Sequence, residues 1–184
     1  MRISAVDWTH AFLKRYVKEG DVCIDATMGN GGDTLFLAGL VGENGKVYGF
    51  DIQKIALEHT REKLKKHGLY AELHLDSHEH MGDYVGKESV QAIVFNLGYL
   101  PGGDHALATR AESTIKAVES GFSLLKRGGV MSLCIYSGGD SGFEERDAVL
   151  QYLKTLDPKK YLVIVNEFYN MPHHPPIPVF LIKL

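Results

Sequence analysis

The sequence predicts an α/β fold: a mostly parallel sheet with helices on both faces and an antiparallel hairpin at the end of the chain. Three observations carry this. Short apolar, β-branched runs alternate with amphipathic helical stretches, the pattern of a parallel sheet covered on both sides. A glycine-rich turn, Gly29-Asn30-Gly31-Gly32, follows the first of those runs and precedes a helix. The last two β-rich segments are separated only by residues 170–178, too few for a crossover helix, so they should pair antiparallel.

The elements follow in order. Ser4 and Asp7 have capping-box spacing and open a helix over about 6–18 that Gly20 ends. Residues 22–26 form the first strand and empty into the turn at 27–34; a helix over 35–41 is closed by Gly42. Asn44-Gly45 turns the chain into a strand at 46–50, with Asp51 at its tip. Ile55, Ala56, Leu57 and Leu64 make the apolar stripe of the next helix, and Gly68 is its C-cap. A third strand spans 71–75. The fourth, 90–95, runs into Asn96-Leu97-Gly98-Tyr99. Thr109 with Glu112 is a second capping-box spacing, and Ile115, Val118, Phe122 and Leu125 mark one face of the helix it opens. Gly128-Gly129 leads to a fifth strand at 130–136. Ser141 with Glu144 opens a last helix, limited by Pro158, before the β segments at 161–169 and 179–184.

With 184 residues and 45% hydrophobic content, the chain fits one compact domain over 1–184. It holds no apolar stretch of bilayer-spanning length, and its N-terminus lacks a signal-peptide layout, so a cytoplasmic location is expected. Cys23 and Cys134 sit in apolar strand patterns and form no C-x-x-C, which reads as two reduced core thiols. A net charge of -3 offers no global attraction to phosphate, so nucleic-acid binding would rest on a local surface.

The glycine turn lets a ligand lie against main-chain N–H groups, and Asp51, at the tip of the next strand, suits two vicinal ribose hydroxyls. A dinucleotide enzyme would show G-x-G-x-x-G. Here acids Asp25 and Asp33 flank the turn; carboxylates repel a pyrophosphate and attract the α-ammonium of a methionine moiety, which favours S-adenosylmethionine over NAD. The expected cofactor wall is Asp25, Gly29, Asn30, Gly31, Asp33 and Asp51. The alternative is a glycine-rich turn without a ligand. His74, His78 and His80 lack a Cys or acid to complete a tetrahedral set, so no metal is expected.

A parallel sheet ending in an antiparallel hairpin resembles the class I methyltransferase (Rossmann-like) architecture, and that resemblance implies a seven-stranded sheet in the order 3-2-1-4-5-7-6. In this fold the end of the third strand reaches the adenine, which brings in Ser77 and His78. Asn96-Leu97-Gly98-Tyr99 resembles the N-P-P-Y signature of amino-group methyltransferases, with Leu-Gly for the two prolines. An attacking amine keeps its hydrogens on acceptors, which the Asn96 oxygen and a backbone carbonyl supply, while Tyr99 stacks on a base. A capping Asn with a structural Tyr is the competing reading. Asp104 and Tyr136 follow strand ends on the same edge and rank second as substrate residues.

DATMGNGGDT at 25–34, FDIQ ending in Gln53, DSH at 76–78, FNLGYLPGGD at 95–104, ESTIKA at 112–117 and the late PP at 175–176 together resemble the small bacterial proteins labelled rRNA methylases. The similarity covers nearly the whole chain and adds Gln53 to the cofactor residues. It implies a tRNA wobble-uridine methyltransferase that converts 5-aminomethyl-(2-thio)uridine at position 34 to its methylaminomethyl form, acting on the anticodon loop as a homodimer. The flexible methylene of such a substrate relaxes the need to hold a ring amine flat, which would accommodate Leu97-Gly98. An rRNA or other amine N-methyltransferase, a non-catalytic cofactor-binding module and an NAD-dependent oxidoreductase remain as alternatives.

Overall fold

The computed structural model describes residues 4–98, 109–137 and 142–184. Its strands are β1 (Val22–Asp25), β2 (Lys46–Asp51), β3 (Glu72–Leu75), β4 (Val90–Leu97), β5 (Leu125–Ile135), β6 (Tyr161–Val165) and β7 (Ile177–Lys183). They form a seven-stranded sheet in the order β3-β2-β1-β4-β5-β7-β6. β1 to β5 run parallel, while β7 lies antiparallel to both β5 and β6. This is the class I methyltransferase architecture, with the terminal hairpin where the short 166–176 link requires it.

The central strands are apolar without alternation because both faces are covered. On one face Ile24, Ile93, Phe95 and Met131 pack with residues of α4 (Ala111–Leu124) and α5 (Gly142–Lys154). On the other, Cys23, Val47, Ala92 and Val94 pack against α1 (Ala5–Leu13), α2 (Gly32–Val41) and α3 (Lys54–Lys66). Cys23 and Cys134 are buried free thiols.

Several local expectations hold and others shift. The Ser4–Asp7 capping box forms, but α1 ends at Leu13 rather than near residue 18. α2 starts three residues early because Gly31, with φ 71°, supplies the left-handed turn ahead of it. Thr109 is not the N-cap of α4; Arg110 is, and the Thr109 hydroxyl is engaged elsewhere. Leu125, expected on the α4 stripe, instead opens β5, pairing with Val90 ahead of an irregularity that precedes the Val130 pairing. A 3-10 helix over His78–Asp83 was not expected; the Ser77 hydroxyl caps it by accepting from Glu79 N. Ser141 lies outside the described residues.

Candidate functional site

A cavity of about 670 Å³ opens at the carboxyl edge of the parallel strands, where ligands sit in open α/β sheets. Its wall is built by the loop after β1, the start of α2, the tip of β2, the turn after β3, the end of β4, the residues opening α4, and Tyr136 just past β5. Helix α1 closes it with Val6 and His10, four residues apart and so on one helical face.

On one side, the Asp51 carboxylate accepts Gly29 N on Oδ2 and Gln53 N on Oδ1, both at 2.9 Å. The two loops thereby aim the carboxylate, and each oxygen keeps a further lone pair for another donor. Gly29, Asn30, Asp51 and Gln53 all line the cavity. Two residues expected with them do not. Asp25 is fully buried behind the loop, where Thr34 Oγ1 at 2.6 Å and Thr27 N at 3.2 Å donate to it. Burial first, then the nearby Asp33 charge, pushes the Asp25 carboxyl up to about 7. Gly31 turns away from the cavity against α3; a Cβ there would stand 2.6 Å from Thr60 Oγ1.

Ser77 and His78 line the adjoining wall. The His78 ring bonds the Ala26 backbone, and burial lowers its pKa, which keeps it neutral. Its Nε2 is buried and has no hydrogen-bond partner among the described residues. Beside it, His80 and Tyr84 donate to Asp76 at 2.8 and 2.7 Å and, His80 first, hold its carboxyl down at about 2. His74 turns away to stack on Phe50, so the three histidines face different partners.

On the other side stands Asn96. Its backbone N donates to Thr27 Oγ1 at 2.6 Å, and its Nδ2 donates to Asp33 Oδ2 at 2.5 Å. The other Asp33 oxygen bonds His10 Nε2, also at 2.5 Å, and the His10 ring lies flat on Phe36 with centroids 3.7 Å apart. Gly98 has φ 151° and packs on Tyr136. Its N donates to Thr109 Oγ1 at 2.8 Å, which in turn donates to the buried Glu145 at 2.8 Å. Tyr136 lines the cavity, and burial raises its pKa. Tyr99 and Asp104 lie outside the described residues.

The Leu97-Gly98 step now has a physical reason other than substrate flexibility. Leu97 is fully buried and paired with Ile135 in the sheet, where proline would remove a ladder donor, and φ 151° at Gly98 is closed to a proline ring. Sequence reading missed His10, Thr109, Arg110 and Ser113, all on the wall. The one signal for His10 in the sequence is its i, i+4 spacing to Val6, and the one for Thr109 is its capping-box spacing to Glu112.

These residues suit S-adenosylmethionine. The cavity has the volume of a cofactor site. Asp33, Asp51, Asp76 and Glu79 on its wall, against Arg110 as the lone Lys or Arg among the described residues of that lining, favour a ligand carrying sulfonium and ammonium charges.

Residues 47–182 match the family model described as "Putative rRNA methylase". A chloroplastic tRNA (mnm(5)s(2)U34)-methyltransferase of Arabidopsis thaliana is 34% identical over 193 residues, covering 99% of this chain and 70% of that protein. Among solved structures, a "putative rRNA-methylase" from Clostridium thermocellum superposes with a TM-score of 0.96 at 46% identity, covering all of both chains. A "putative methyltransferase" from Streptococcus mutans in complex with SAH gives 0.90 at 36% identity, also over the whole of both chains.

Proposed function

The chain belongs to this rRNA methylase family and is an S-adenosylmethionine-dependent methyltransferase; from that premise we propose that it methylates the amine of 5-aminomethyl-(2-thio)uridine at the wobble position of tRNA. The substrate reading draws on the name of the Arabidopsis relative and on one observation at the site. Asn96, at the tip of β4, spends its amide nitrogen on Asp33, which leaves its carbonyl oxygen for a hydrogen-bond donor in the cavity. A primary aliphatic amine is such a donor.

The cofactor, when bound, supplies a sulfonium methyl that an amine lone pair takes as the carbon–sulfur bond breaks. The chain's residues hold and orient the partners. In this reading Asp51 accepts the ribose hydroxyls, Gly29, Asn30 and Gln53 shape the loop around the nucleoside, and Ser77 and His78 meet the adenine. Asn96 accepts a hydrogen of the substrate nitrogen and aims its lone pair, so the contribution is chiefly positional. Tyr136 packs beside the substrate.

The test is direct. Purified protein with S-adenosylmethionine should convert 5-aminomethyluridine or its 2-thio form, in tRNA, to the methylaminomethyl nucleoside, read by nucleoside mass spectrometry. tRNA lacking the aminomethyl group should give no product, since it offers no nucleophilic amine. Activity should rise with pH as the substrate ammonium deprotonates. Labelled methyl groups in rRNA, or in tRNA carrying no modification, would sink the wobble-amine reading.

A further inference from the structure

The N-terminal helix brings to the cavity a residue that no motif identified. His10 comes from α1, Asp33 from the first turn of α2 and Asn96 from the end of β4, yet the three form one continuous hydrogen-bonded chain, each link 2.5 Å long. All three line the cavity. Asp33 is buried, so both of its oxygens are best satisfied by fixed partners. His10 is itself held flat against Phe36.

An unrestrained amide presents either its oxygen or its nitrogen to a ligand, because the two ends are nearly the same shape. Only the oxygen serves an amine that must keep its lone pair free for attack. A carboxylate accepts and never donates, so Asp33 tolerates only the nitrogen end of Asn96 on its side. We infer that His10 and Asp33 are positioning residues which lock the Asn96 side chain with its oxygen toward the substrate nitrogen. Asp33 acts directly, and His10 acts through Asp33 by holding the carboxylate in place. This reassigns Asp33 from a contact for the cofactor ammonium to an aligner of the substrate acceptor. It rests on the reading in which Asn96 accepts the substrate amine.

The geometry makes a distinctive kinetic demand. His10→Ala should lower kcat by about tenfold, and Asp33→Leu by about a hundredfold, the scale of a misaligned reacting group. Cofactor affinity by calorimetry should stay within about twofold in both variants if neither residue grips the cofactor. Asp33→Asn should retain more activity than Asp33→Leu, because its side-chain oxygen can still accept the Asn96 amide. In an Asn96→Ala background, His10→Ala should have no further effect on kcat. A structural role would give the same fractional loss in both backgrounds.

The lock itself is readable without any substrate. The Asn96 side-chain NH₂ resonances, identified by their absence in Asn96→Ala, should shift in His10→Ala and in Asp33→Asn. If wild-type protein leaves aminomethyluridine tRNA unmethylated, the substrate reading fails and the resonance arm still decides the lock. Additive kinetic losses, a parallel fall in cofactor affinity, or Asn96 amide signals indifferent to His10 and Asp33 would overturn the inference. Should Asp33→Leu not fold, His10→Ala and Asp33→Asn carry the test.

Discussion

The two walls of the cavity are assembled differently. The cofactor side is made of short strand-to-loop units: Asp51 at the end of β2 is aimed by Gln53, two residues on, and by Gly29 of the neighbouring loop. The substrate side is held by distant partners. Asn96 reaches Asp33 across 63 residues, Asp33 reaches back 23 residues to His10, and Thr109 is fixed by Glu145, 36 residues away. The backbone N–H groups that aim Asp51 are in place once β1 and β2 pair in the sheet, whereas a side-chain network needs several elements to dock before any member is in place. The cofactor wall should therefore behave as a local binding device and the substrate wall as a cooperative one.

The largest expected effect tests that separation. If Asn96 accepts the substrate amine as proposed, Asn96→Ala should cut kcat by about a hundredfold or more while S-adenosylmethionine affinity barely changes. Equal losses in turnover and cofactor binding would show one functional unit rather than two walls. The reciprocal variant is Asp51→Ala. It should weaken cofactor binding by about 1.5–3 kcal/mol, the range for hydrogen bonds to a charged group, and titration calorimetry reads it. Affinity that survives in a folded Asp51→Ala protein would place the ribose elsewhere.

A smaller effect probes the backbone under the substrate wall. Gly98 sits at φ 151°, with an added Cβ only 3.4 Å from Tyr136 Cβ, an ordinary contact. Gly98→Ala should therefore act through its backbone angle and lower stability by about 1–3 kcal/mol in chemical denaturation. No change in the midpoint would mean that the turn relaxes freely.

A further expected effect concerns pH. Asp25 has its carboxyl raised from 3.8 to about 7 in the folded protein. Between those values the native state binds a proton that the unfolded chain releases, so this residue's contribution to stability is largest near pH 4 and falls as pH rises toward 7. Melting temperature followed across that window should lose this downward component in Asp25→Asn. A variant with the wild-type slope would assign the proton to another group.

Much of this was legible in the residues themselves. The strands alternating with helices, the glycine turn followed by Asp51, the polar Asn96 ending an apolar strand and the hairpin forced by a short link all rest on short-range regularities. Side-chain period, turn chemistry and chain reach act over a few residues, and they persist whatever the rest of the chain does. Tertiary packing decided which polar groups face the cavity. Asp25 and Asp51 both end parallel strands, yet the first is sealed behind the loop and the second lines the cavity. Thr109 looked like a helix cap until Gly98 and Glu145 claimed its hydroxyl. His10 carried no motif at all, because its contact exists only where α1 meets the carboxylate of Asp33. Hydrogen bonds between distant residues depend on the relative placement of whole elements, and that placement is settled by burial of the two apolar layers rather than by any local pattern.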